Sequence, residues 1–154
     1  MNLNIAAPRA DCSFTKSRPE FVLIKNDDDD KIATYKLARA VYAETRASSL
    51  LAVESLCAMI KNLSIKSGRE LSDIATDETV FESLSKKSAR HADLLIDSKS
   101  RAFQMCLRSV RRMMSGQLPD MVRCATRFHR SENSPDWAAA VGYVAEVDGL
   151  LFYL

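Results

Sequence analysis

The residue in this chain whose type and setting most invite chemistry is Glu44. It lies in LARAVYAETRASSLLAVESLCAMIKNL, residues 37–63, the longest strongly periodic apolar stretch. Leu37, Ala40, Val41 and Glu44 recur at i, i+3, i+4 and i+7, one side of a helix. A carboxylate on an apolar face costs free energy unless it is paired or protonated. Two explanations stand side by side. Glu44 is a structural carboxylate, satisfied by a partner three or four residues away or turned outward by a register shifted by one. Alternatively it is an acid kept protonated by a partly apolar setting, able to donate to a leaving oxygen. That second chemistry suits cleavage of a glycosidic bond, with Arg127 and His129 as polar companions from a strand elsewhere.

Other templates fail by inventory. The sequence has no Gly-rich phosphate loop, no GxSxG and no HExxH, and its two histidines, His91 and His129, lie in no nucleophile motif. Cys12, Cys57, Cys106 and Cys124 lack metal-ligand spacing and read as reduced or buried thiols, with disulfides left open. Consecutive aspartates at 27–30 do not reproduce the spaced ligands of a calcium loop. No metal and no cofactor are expected.

The elements that would position Glu44 are mostly helices. Asp30 or Thr34 is expected to cap a first helix ending near Glu44, and the serines of TRASS to cap a second. Val53, Leu56, Cys57, Ile60 and Leu63 form its core stripe, and Ser67-Gly68 ends it. Leu71 and Ile74 suggest a short helix, Val80-Phe81 a buried anchor, and KKSARHAD a polar loop in which His91 is solvated. Ser98 or Ser100 opens a third helix with Ala102, Phe103, Cys106, Val110 and Met113 on one face and Gly116 as its stop. Beyond it the pattern changes. Residues 122–128 can form a strand, and Ser134-Pro135-Asp136-Trp137 reads as a helix start with serine at the cap. Tyr143–Val147, Asp148-Gly149 and Leu150–Tyr153 give a hairpin signal. The expected fold is α+β, mainly helical, with a small antiparallel sheet of two or three strands near the C-terminus.

Composition sets the remaining bounds. A chain of 154 residues, 47% hydrophobic and 27% charged, with four Gly and four Pro, suits one helix-rich globular domain. Residues 1–31 read as an N-terminal arm and acidic linker, and 32–154 as the domain proper. A net charge of +2 makes no bulk case for nucleic acid, and Arg108, Arg111 and Arg112 are too weak a cluster to make one. No stretch reaches the about 18 apolar residues of a membrane helix. No signal peptide is visible at the N-terminus, so the protein is expected to be cytoplasmic until another route exports or releases it.

Four stretches, taken in order, carry a resemblance. The first holds Ala38, Tyr42, Glu44 and Arg46, with Asn62 at the end of the following helix, and the second is Val80-Phe81. The third, LPDMVRCATRFHR, keeps Leu118, Pro119, Asp120, Ala125, Thr126 and His129 of an LPDPTGGATHYH pattern, with Phe128 for tyrosine. The fourth keeps Pro135, Trp137, Gly149, Phe152 and Tyr153. Together they resemble the SleB-type cell wall hydrolases over about residues 36–154. The resemblance implies a lysozyme-like domain that cuts the β-1,4 bond between N-acetylmuramic acid and N-acetylglucosamine, acting at the bacterial cell wall or periplasm on peptidoglycan glycan strands. It places the catalytic acid at Glu44. Thr126, Phe128 and His129 would line the cleft floor, and Tyr42, Phe81 and Trp137 its walls. Arg127 stands where the pattern has its first histidine, and its charge suits a stem-peptide carboxylate instead. Core roles for Phe81 and Trp137, and a local structural role for His129, remain open beside these. The chain departs from the pattern at Arg46-Ala47-Ser48, where the family has Arg-Gly-Glu, and at Arg123-Cys124, where it has two glycines. Loss of the second acid favours a single-Glu lytic transglycosylase, with a muramidase as the other enzymatic form. It also allows a catalytically weakened module that only binds peptidoglycan.

Overall fold

Capping residues set the helix boundaries in the computed structural model, which describes residues 27–154. Helix α1 spans Asp27–Thr45 and α2 spans Leu50–Ser67. Between them the chain turns through two left-handed residues, Arg46 (φ 51°) and Ala47 (φ 50°). Ser49 caps α2 by accepting a hydrogen bond from the Ala52 N–H, and Gly68 closes it at φ 74°, a conformation glycine adopts without strain. A one-turn helix α3 (Leu71–Ile74) follows, and Ser100 then caps α4, Arg101–Met114. Short 3₁₀ turns occupy Glu82–Leu84, His91–Leu95 and Asp136–Ala140.

The apolar stripes of α1, α2 and α4 meet in one core. Leu37 and Val41 of α1, Leu56 and Ile60 of α2, and Phe103 and Val110 of α4 are all fully buried in it. Burial of this kind, at about 25 cal/mol per Å² of apolar surface, supplies the main drive for the helices to form.

The sheet is three-stranded and antiparallel: β1 (Arg127–Arg130), β2 (Tyr143–Val147) and β3 (Leu150–Tyr153), in the order β1-β3-β2. Arg127 lies opposite Tyr153 and Arg130 opposite Leu150. The β2–β3 hairpin turns on Asp148 (φ 49°) and Gly149 (φ 81°), the paired positive angles that a two-residue turn between twisted strands requires. Its tip is tied back to the α1–α2 corner, where Asp148 Oδ2 accepts from Ser48 Oγ at 3.2 Å and Ser49 Oγ at 2.5 Å. The protein is thus α+β, with its sheet at the C-terminal end.

Several local expectations are corrected. Helix α1 spans Asp27–Thr45, so it takes in both Asp30 and Thr34, and the acidic run expected as a linker is helical backbone. The rest of the arm, including Cys12 and the FVLI segment, lies outside the described residues. The strand expected over 122–128 begins only at Arg127. Asp120 draws the backbone before it into a turn, accepting from Val122 N at 3.0 Å and Cys124 N at 2.7 Å. Arg123 (φ 50°) and Cys124 (φ 69°) are therefore left-handed, which no strand accommodates. Ser134 does not cap the segment after it, a 3₁₀ turn entered through Pro135 without a side-chain cap. Cys57 and Cys106 are buried free thiols as expected, but Cys124 is disulfide-bonded. His91 is half-buried rather than solvated, its Nδ1 lying 3.0 Å from the Ser83 carbonyl. No helix among the described residues is long and apolar enough to cross a membrane.

Candidate active site

Glu44 sits in the last turn of α1 and is 2% exposed. The segment after α3 folds over it. Arg39 of α1 donates to the carbonyls of Leu94 (3.1 Å) and Ile96 (2.7 Å), and Arg46 pairs with Asp93 at 2.7 Å. These bonds press residues 82–97 against the helix end. From that segment the Ser83 N–H reaches Glu44 Oε2 at 2.8 Å. Arg90 donates to the carbonyls of Ala43 (3.1 Å) and Glu44 (3.2 Å), two of the acceptors a helix leaves without intrahelical partners at its C-terminus.

The partner of the Glu44 side chain comes from β1. Strand alternation turns Phe128 and Arg130 inward and leaves Arg127 outward. Arg130 Nη1 bonds Glu44 Oε1, its Nη2 bonds Glu82 Oε1, and its Nε bonds Glu132 Oε2 at 2.8 Å. One guanidinium thus carries three carboxylates, and Arg90 Nη2 reaches the third of them at 3.5 Å. The two inner groups are dry, with side chains 6% (Arg130) and 1% (Glu44) exposed, whereas Glu82 and Glu132 reach water. Burial pushes the Glu44 carboxyl above its ordinary range, against the pull of the Ser83 N–H and Arg130, and the nearby Glu82 charge adds to the rise. The hydrogen bond from Arg130 holds Glu132 below the usual range. Three carboxylates face two guanidiniums here, and Glu44 is the only one of the three that burial shuts off from water.

Glu44 opens onto a cleft of about 530 Å³, lined also by Val80, Phe128, His129, Arg130 and Trp137. A second cleft of about 260 Å³ adjoins it, sharing Thr79, Val80, Phe128 and Trp137 and adding Thr126, Arg127 and Arg69. Between the two stands an aromatic group from the sheet and the turn before β2. Trp137 packs edge-on to His129 and Tyr153, with centroids 5.7 Å and 5.3 Å apart, and His129 Nε2 lies 3.1 Å from the Tyr153 hydroxyl. The Arg127 guanidinium lies 4.8 Å over the Trp137 ring.

Of the residues singled out in the sequence, Glu44, Thr126, Arg127, Phe128, His129 and Trp137 all line one or both clefts. Tyr42 and Phe81 do not. Phe81 is fully buried in the core beside Phe128, and Tyr42 packs half-buried against the same core. Neither Arg127 nor His129 is the companion of Glu44; that place belongs to Arg130, which sequence reasoning missed together with Glu82, Arg90 and Glu132. The alternation that sends Phe128 inward was the available signal for Arg130, two residues on along the same face. Among the described residues no group of three acidic, histidine or cysteine side chains stands ready to hold a metal ion. Comparison of the chain with protein-family models, with curated proteins and with solved structures gives no match.

Proposed function

We propose that the protein binds and cleaves peptidoglycan glycan strands, with Glu44 as the acid that protonates the leaving oxygen. The observation that carries this reading is a buried carboxyl, raised by desolvation, opening onto a cleft walled by Trp137, Phe128 and His129. A raised affinity for its proton favours the donor form of this acid, and aromatic faces suit sugar rings. Because Arg130 occupies Oε1, proton donation from that oxygen needs the guanidinium to give it up. Glu82 and Glu132 already hold the other nitrogens and can retain it during that step. In the transglycosylase form the muramoyl 6-hydroxyl attacks C1, and Glu44, deprotonated by the first step, takes the hydroxyl proton; a 1,6-anhydro end results. In the muramidase form water takes the place of that hydroxyl.

Two further observations support the resemblance to the SleB-type hydrolases. Where their pattern has glycine, at positions 47, 123 and 124, this chain keeps left-handed backbone (φ 50°, 50° and 69°) although Ala47, Arg123 and Cys124 stand there. Non-glycine residues pay about 1–2 kcal/mol for such a conformation, so its presence at all three positions fits a backbone shared with a glycine-bearing pattern. The Cys124 disulfide suits an oxidising compartment, which agrees with action at the cell wall or in the periplasm.

Purified protein should release soluble muropeptides from sacculi, and Glu44→Gln should lower that release by about 10²-fold or more without altering the circular dichroism spectrum. Full release by Glu44→Gln would end the assignment, and the masses of the products separate anhydro from hydrolysed ends. One observation favours a second reading, a binding module without turnover: the Ser83 N–H and Arg130 occupy both oxygens of Glu44. Retention on sacculi with no muropeptide released would select it.

A further inference from the structure

We infer that the second cleft is a subsite for the carboxylate of a peptide carried by the glycan strand, with Arg127 as its receptor. This rests on the glycan-strand reading and adds to it the substrate's peptide. Arg127 points out from β1, the outer strand of the sheet, and its guanidinium is held against the Trp137 ring. Trp137 is itself fixed by His129 and Tyr153, so the cation stands at a defined place on the cleft rim. The other arginines around the two clefts are engaged: Arg69 with Asp77 at 2.7 Å, and Arg130 with its three acids. Arg127 has no carboxylate partner among the described residues. A guanidinium held over an indole keeps its N–H groups available, and two parallel ones match a carboxylate.

The rest of the cleft fits the same ligand. Met59, Leu63 and Val80 give it an apolar floor, which suits short aliphatic side chains better than hydroxyl-rich sugar. Its volume, about 260 Å³ against about 530 Å³ for the Glu44 cleft, suits the end of a peptide. The wall the clefts share places that peptide beside the sugar that bears it. In intact peptidoglycan the muramoyl lactyl group is tied up as an amide, so the carboxylate on offer is the peptide's own.

The test is a titration by calorimetry of N-acetylmuramyl dipeptide ending in a free carboxylate, its C-terminally amidated counterpart, and N-acetylmuramic acid. Wild-type protein should bind the acid about tenfold or more tightly than the amide, and Arg127→Gln should abolish that preference. Arg127→Lys, which keeps the charge without the fork, should retain only part of it. Trp137 fluorescence and circular dichroism check that each variant is folded. Equal affinity for acid and amide, or a preference that survives Arg127→Gln, would overturn the assignment. So would tighter binding of N-acetylmuramic acid than of the dipeptide, which would put the sugar's own lactyl carboxylate on Arg127. Cleavage of peptide-free glycan strands reports separately on Glu44. Cleavage without acid selectivity removes the subsite alone. Acid selectivity lost with Arg127, with no strand cleaved, keeps the carboxylate site and removes the cleavage reading.

Discussion

The helical core and the Glu44–Arg130 pair beneath the cleft are about equally dry, yet opposite kinds of force hold them. Phe103, at the heart of α4, is fully buried among apolar side chains, and Arg130 and Glu44 are 5% and 2% exposed. Apolar packing is non-directional and tolerates exchange of one shape for another of like volume. A buried ion pair is stabilised only while every partner is present and correctly aimed. Loss of one member leaves a charge in a place water cannot reach, while loss of both leaves ordinary apolar space. The pair is therefore a poor way to stabilise a fold, and it lies beside the larger of the two clefts.

A double-mutant cycle tests that contrast at its largest. Phe103→Ala and Arg130→Ala are each expected to cost about 3–5 kcal/mol in urea unfolding. Phe103→Leu should recover most of the first loss. Arg130→Met alone should remain costly, whereas Glu44→Leu with Arg130→Met should be markedly more stable than either single variant. Additive single costs would show that Arg130 and Glu44 are not coupled through a shared buried bond, and the contrast would fail.

The pH dependence sharpens it further. The folded Glu44 carboxyl is raised above its reference value of 4.5, so the folded state holds the proton more tightly than the unfolded chain. Its contribution to stability is then fully present below about 4.5 and lost as pH rises through the folded value. Glu132, held low by Arg130, contributes with the opposite sign, gaining stability above the unfolded value and losing it as pH falls through the folded one. The difference in melting temperature between Glu44→Gln and wild type should move in the variant's favour as pH rises from about 4 to about 7. Movement in the other direction would mean that Arg130 outweighs burial and holds Glu44 ionised.

How far the sequence foretells each region follows from the same physics. The stripe Val53, Leu56, Cys57 and Ile60, the caps Ser49 and Ser100, the stop at Gly68 and the Asp148-Gly149 turn are local patterns, and all appear where expected. The burial of Glu44 was readable from its place on the face of Leu37 and Val41. Its partner was not, because an arginine at the end of a short strand reads as surface, and the strand itself was placed too early. Arg127 was the wrong companion by parity, since a strand that buries Phe128 turns position 127 away. The segment 86–93 misled in another way. Its polar composition suggested solvation, but Arg90 spends its donors on the carbonyls of α1 and His91 meets Ser83, contacts between residues 8 and 47 positions apart. Such pairings are set by tertiary folding, and no local pattern encodes them.

The smallest effect concerns the corner where the two regions meet. Ser49→Ala should cost about 1 kcal/mol, a loss of roughly 2–4 °C in melting temperature. An unchanged melting temperature would show that the corner adds nothing beyond the core it joins.

The hydroxyl that caps α2 also donates to Asp148, a residue 99 positions away. Helix α2 has no acidic residue in its own first turn, so the positive end of its macrodipole lacks the usual local counter-charge. Asp148 supplies that charge from the hairpin tip, relayed through the serine. The electrostatic completion of a central helix is thereby deferred until the last strands are in place, so a chain truncated before β2 would lose more than its sheet. It would leave α2 with an uncompensated positive pole at the corner next to Glu44.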